Sequence, residues 1–236
     1  MIPFEIERLL SKVQKPARYC GGEINTIVKD KTKVTTRVAF CFPDLYEVGM
    51  SHLGMKLFYS AFNKREEIWC ERVFAPAEDM RSLLLENGMK LYGLESLDPL
   101  DEFDVIMFTL QYELCYTGVL DMLYLSGIPL RQKDRKGLEH LVMGGGPCAC
   151  NPEPIADFFD LFFLGEGEEV VLRRSRAFMC RLSMMFLTMR TERLQRLPRK
   201  TVRLRPSKNA LCRILIRRIS PKALWCRLLM WCMTVR

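Results

Sequence analysis

Short apolar runs closed by glycine or proline, each followed by a stretch of helical spacing, recur along residues 34–171. Val34–Phe42 is β-branched and aromatic and stops at Pro43, and Ile68–Phe74 and Phe103–Leu110 have the same character, so all three predict strands. Leu141–Met143 and Leu161–Leu164 are too short for core helices. They end in Gly144-Gly145-Gly146-Pro147 and Gly165-Glu166-Gly167-Glu168 and read as buried parallel strands. Between the strands, Ser51 is placed to N-cap a helix carrying Leu53, Leu57, Ala61 and Phe62 on one face. Ala77–Glu86 predicts a helix closed by Asn87-Gly88, and Leu114–Ser126 one stopped by Gly127. An amphipathic segment with Pro154, Ile155, Phe158 and Phe159 joins the last two strands. Ahead of them, Ile2, Phe4, Ile6, Leu9, Leu10 and Val13 have helical spacing up to Pro16, and 17–33 predicts an irregular or hairpin lead-in.

Strands alternating with helices predict an α/β fold, a doubly wound parallel sheet of about five strands. Right-handed crossovers bring the loops after the strands to one edge, where open α/β sheets bind ligands. The candidate site is therefore Leu45, Tyr46, Glu47, Val48, Gly49 and Ser51 after the first strand, with Gln111, Tyr112 and Glu113 after the third. Gly144, Gly145, Gly146 and Pro147 follow the fourth, and Gly165, Glu166 and Gly167 the fifth. Glycine lets backbone approach a ligand, but it also serves plain strand-to-helix turns, and the pattern leaves both readings open. The edge has no nucleophilic triad setting and no phosphate-loop lysine. His52 reads as a cap or surface residue, and Cys148-x-Cys150 as turn residues rather than a metal clip. Glu113 and Glu166, or Cys148, are the groups an unaided α/β enzyme would use, but no spacing joins them into a catalytic set.

Charge divides the chain in two. Residues 172–236 hold 15 Arg and 3 Lys against Glu192 alone, and no glycine; residues 1–171 hold 18 Lys and Arg against 27 Asp and Glu. The 10 cysteines form no CxxC pair and read as reduced thiols, which predicts a cytoplasmic protein. No apolar run reaches the roughly 18 residues of a membrane span, and the acidic amphipathic start does not suit a signal peptide.

The segments Phe40–Tyr59 (FCFPDLYEVGMSHLGMKLFY), WCERVFAPAEDM, FTLQYEL, GGGPCACNPEPIADFFD and GEGEE, in this order, resemble the cobalamin-binding-type N-terminal domain of radical S-adenosylmethionine (SAM) proteins. The resemblance runs from about Leu10 to Val171. It implies a flavodoxin-like domain over 34–171, preceded by an N-terminal helix and lead-in over 1–33. In the intact parent, this domain would face a radical SAM barrel holding a [4Fe–4S] cluster and SAM. The edge loops would then face a corrinoid or the barrel's active site. Two motifs depart from the pattern. Neither His52 nor His140 sits in the Asp-x-His-x-x-Gly of cobalt-ligating domains, so either cobalamin binds without histidine ligation or the domain is a descendant that no longer binds it. None of the 10 cysteines stands in Cys-x-x-x-Cys-x-x-Cys, so the cluster and SAM belong to the parent and not to this chain.

The composition break suggests that 172–236 is read out of frame. Taking the last base of each codon with the first two of the next, Met184-Met185 forces Asp and Met233-Thr234 forces Asp. Met230-Trp231 and Trp231-Cys232 each force Val. The result, Val-Val-His/Tyr-Asp, resembles the segment ahead of the family's barrel. On this reading the shift falls near 172–177, the chain is truncated before the barrel, and the tail is poorly ordered or irregularly helical. The fifth strand would then lack its covering helix and expose apolar surface. The competing reading is a genuine basic tail on a stand-alone α/β module that binds nucleic acid.

Overall fold

The β-branched and aromatic runs form one sheet in the computed structural model, which describes residues 2–135, 140–164 and 213–216. β1 (Thr36–Phe42) pairs with β2 (Ile68–Phe74) on one side and β3 (Val105–Thr109) on the other. β4 (Leu141–Gly145) and β5 (Leu161–Leu164) continue from β3, and all these pairings are parallel. The order β2-β1-β3-β4-β5 is the flavodoxin-like arrangement, with its reversal of strand order between β1 and β3. A sixth strand, β6 (Arg213–Ile216), pairs antiparallel with β5.

Alternation along β1 splits the core between two faces. Val38, Phe40 and Phe42 pack with α3 (Leu53–Asn63); Ala39 and Cys41 join the face of α1 (Phe4–Leu10), α4 (Glu78–Glu86) and α5 (Cys115–Leu125). Gly88 and Gly127 adopt φ of +63° and +70° after α4 and α5, the left-handed exit that glycine permits without strain. α1 is part of this core through Ile6, Leu9 and Leu10, joined by Val13 just after it.

β2 is an edge strand, yet all seven of its residues are buried. Residues 91–100 lie along it. Leu94 N–H donates to the Arg72 carbonyl at 3.0 Å, and Glu95 accepts from Arg72 N–H at 2.7 Å and from its Nε at 2.6 Å. Glu71 points the other way and takes Arg37 Nη2 at 2.7 Å and Ser96 Oγ at 2.7 Å, while the Arg37 guanidinium lies 4.3 Å over Phe103. Two charged residues can sit mid-strand because each carboxylate or guanidinium has a partner.

Several expectations need correction. The stretch after β1 is a helix, α2 (Tyr46–Ser51), rather than a loop. Ser51 does not cap α3; its hydroxyl donates to the Val48 carbonyl, and His52 Nδ1 accepts Met55 N–H at 3.2 Å as the cap. Of the face expected inward on α3, Ala61 and Phe62 are buried, but Leu53 and Leu57 stay exposed and Met55 and Tyr59 are buried in their place. Residues 17–33 are irregular, one of the two forms expected, and hold no hairpin; Leu161 and Phe162 of β5 are buried rather than exposed. Of the basic tail only β6 is described, and it is a strand. The break at 172, the shift at 172–177 and the rest of the tail lie outside the described residues.

Candidate functional site

Because β1 to β5 run parallel, their carboxyl ends share one edge. The β1 and β2 end of that edge is covered by the lead-in. Glu47 takes Arg18 at 2.8 Å and Lys15 at 3.2 Å, so its carboxyl is held down to about 2 by the Arg18 hydrogen bond. The Tyr46 hydroxyl donates to Glu23, and burial together with that carboxylate pushes the phenol up to about 12. A Cβ on Gly49 would meet the Phe74 ring at 2.2 Å, so this glycine serves close packing of α2 on β2. Leu45 is half-buried ahead of α2, and Val48 is exposed.

The reversal between β1 and β3 is the more open part. Asp44 follows β1; its Oδ1 accepts Leu45 N–H at 2.7 Å, and its Oδ2 accepts the Tyr112 hydroxyl from the loop after β3. That hydrogen bond, with some desolvation, pushes the Tyr112 phenol up to about 12. Gln111 donates its amide to Thr109 Oγ1 at 2.5 Å, and Glu113 is exposed. Gly144 and Gly145 belong to β4 itself, and a Cβ on Gly144 would meet the Phe162 ring at 2.9 Å. Gly146, at φ +96°, lets the next loop run against Leu110: Leu110 N–H donates to the Gly145 carbonyl at 2.7 Å and Cys148 N–H to the Leu110 carbonyl at 3.1 Å. Pro147 is exposed. Gly165, Glu166 and Gly167 lie outside the described residues.

The structure thus brings the loops after β1, β3 and β4 together. It gives Tyr46, Glu47, Gly49 and Gly144 internal contacts that no ligand is needed to explain. Asp44 and Thr109 are edge residues that the sequence pattern did not single out; Asp44 was marked only by its place directly after Pro43. Burial pushes the Cys115 and Cys148 thiols up, which keeps both protonated and disfavours Cys148 as a nucleophile. The six described cysteines are free. Away from this edge, a groove of about 420 Å³ lies beside β2, lined by Trp69, Glu95 and Lys31 among others. No helix among the described residues is long and apolar enough to cross a membrane.

Strand order, parallel pairing and the gathered loops define a flavodoxin-like α/β domain. The chain belongs to the family of radical SAM proteins, N-terminal, whose profile matches residues 54–201, more than half of it. The match runs past 172–177 into the basic segment. An uncharacterized protein of Methanocaldococcus jannaschii is 28% identical over 144 residues, covering 60% of this chain and 27% of that protein. The chain therefore matches little more than a quarter of that relative's length. No solved structure matches it.

Family membership implies SAM and an iron–sulfur cluster in the parent protein. Among the described residues no group of three Cys, His, Asp or Glu could hold a metal ion. Histidine ligation of a corrinoid does not fit either. His52 is occupied as the α3 cap and packs 5.4 Å from the Phe42 ring. His140 lies just before β4, at the amino end of the sheet, with Nδ1 3.0 Å from the Phe103 carbonyl oxygen.

Proposed function

We propose that residues 34–171 are the accessory, ligand-facing domain of a radical SAM protein, with 1–33 as its helical lead-in. The domain presents the loops after β1, β3 and β4 to a corrinoid or to the active site of the parent's barrel. The observation that carries this reading is the family match laid over a sheet whose strand order reverses between Asp44 and Tyr112. The cluster and SAM would be held by the barrel, and catalysis would need both parts. A corrinoid here is held without histidine, by the hydroxyls, amides and carboxylates of the edge. The candidate residues Leu45 to Ser51, Gln111 to Glu113, Gly144 to Pro147 and Gly165 to Gly167 remain the frame of that surface. Within it, Asp44 and the loops after β3 and β4 stand nearest the strand-order reversal.

The second part of the proposal is that 172–236 is out of frame. Composition and the forced codons favour it; the family match reaching 201 weighs against a shift as early as 172–177. Resequencing the gene through the codons for Gly165 to Arg190 and beyond Arg236 decides this. One inserted or deleted base that opens a frame to Cys-x-x-x-Cys-x-x-Cys is the expected result. A confirmed frame ending at Arg236 overturns it. The basic tail is then real, and salt-dependent nucleic-acid binding becomes the function to measure.

A further inference from the structure

The groove beside β2 has the size of a small-molecule site, about 420 Å³. It is walled by the lead-in over residues 26–31 and by the turn 94–97, and Trp69 of β2 also lines it. Both walls are fixed to the sheet. The Trp69 indole N–H donates to the Ile27 carbonyl at 2.9 Å, and Ile27 N–H donates to the Tyr59 hydroxyl at 2.8 Å. Leu94 N–H donates to the Arg72 carbonyl at 3.0 Å and Ser96 N–H to Glu71 Oε2 at 2.9 Å. Gly21, at φ +64°, brings the lead-in backbone against the Leu94 carbonyl oxygen, where a Cβ would lie 2.1 Å away. Among the described residues, Leu97 is the one non-glycine residue in the left-handed region, at φ +62°. A bulky side chain sits there against its preference, and such strain gathers where a chain is shaped for a ligand. Here it places Leu97 in the groove lining, while Val28, in the same lining, is 66% exposed.

The charged groups of the lining are unequally committed. The Glu95 carboxylate is fully buried and spent on Arg72. Lys29 gives its ammonium to the backbone carbonyls of Asn63, Arg65 and Ile68 and pairs with no carboxylate among the described residues, so its charge is left standing. Lys31 pairs with Asp98, but Asp98 Oδ2 also has Arg37 Nη2 at 2.8 Å. The Arg37 side chain is 12% exposed and is held by Glu71 and Ser96 as well, whereas that of Lys31 is 53% exposed. Lys31 can therefore leave Asp98 without stranding that carboxylate. We propose that this groove binds an aliphatic monocarboxylate, its chain along Val28, Leu94 and Leu97 and its carboxylate on Lys31. The ligand replaces one charge-assisted hydrogen bond of Lys31 by another and takes the exposed valine out of water. The proposal does not depend on what the carboxyl edge of the sheet binds.

The test titrates decanoate, and decan-1-ol as its neutral counterpart, into the nitrogen-15-labelled full chain. Decanoate should give saturable shifts of the Trp69 indole N–H and of the amides of 26–31 and 94–97, and decan-1-ol should bind about tenfold more weakly. Lys31→Met should weaken decanoate to the level of the alcohol and leave the alcohol unchanged. Val28→Trp, a change at an exposed position that fills the groove, should abolish both. An unmoved Trp69 indole overturns the site, and this includes decanoate held on the arginine-rich segment alone. Equal binding of acid and alcohol, or a Lys31→Met chain that binds decanoate as before, overturns the ligand class. Undiminished binding by Val28→Trp overturns the location.

Discussion

Gly49 shows how one residue sets the reach of the edge. Placed in α2, it lets the helix touch the ring of Phe74, and a methyl group there would overlap that ring at 2.2 Å and approach Phe42 at 3.1 Å. Gly49→Ala should therefore destabilise the fold by about 1–3 kcal/mol through overpacking. Urea unfolding measures it; an unchanged midpoint would show that Phe74 moves aside without cost. The same logic separates the glycines of the β4 end. Gly146 has both a left-handed φ and a close Leu110 carbonyl, whereas a Cβ on Gly145 would meet only Phe163, at an ordinary contact distance of 3.9 Å. A glycine-rich run is thus two structural necessities, Gly144 and Gly146, around one position that tolerates a side chain.

At the scale of elements, the edge strand β2 depends on the 91–100 segment, and Glu95 joins the two. Burial pushes its carboxyl up to about 7, with Arg72 opposing. A raised carboxyl pKa means the folded chain holds a proton that the unfolded chain has released. Stability from this group is present below about pH 4.5 and falls as pH rises toward 7. The difference in urea midpoint between the unsubstituted chain and Glu95→Gln should carry that slope; the opposite slope would mean that Arg72 dominates. None of this could be read from IWCERVF, where Glu71 and Arg72 look like breaks in a buried strand. Their partners, Arg37, Ser96 and Glu95, come from distant segments. β2 and β5 were legible to the residue, since both begin and end on apolar residues where pairing begins and ends. α2 was not, because six residues with a glycine and no apolar period carry no helical signal. α3 was legible as a helix, with Ala61 and Phe62 inward, but not in the rest of its rotation: Leu53, Leu57 and Met55, Tyr59 are both apolar rows, and only the fit against β1 and β2 chooses between them.

For the whole molecule, parallel order made the edge legible before any coordinates, because alternating strands and helices leave few topologies. What the sequence could not tell was that the lead-in covers the β1 and β2 end, through Arg18 and Glu23, and narrows the site to the loops after β1, β3 and β4. Family membership then places this edge in a radical SAM protein. The central claim is that the domain meets its ligand there. Adding hydroxocobalamin to the isotope-labelled full chain and mapping amide shifts tests it most directly. Shifts confined to residues 43–48, 109–116 and 144–150 are the predicted result. Shifts centred instead on the groove of Trp69, Glu95 and Lys31, or no shifts at all, would contradict it.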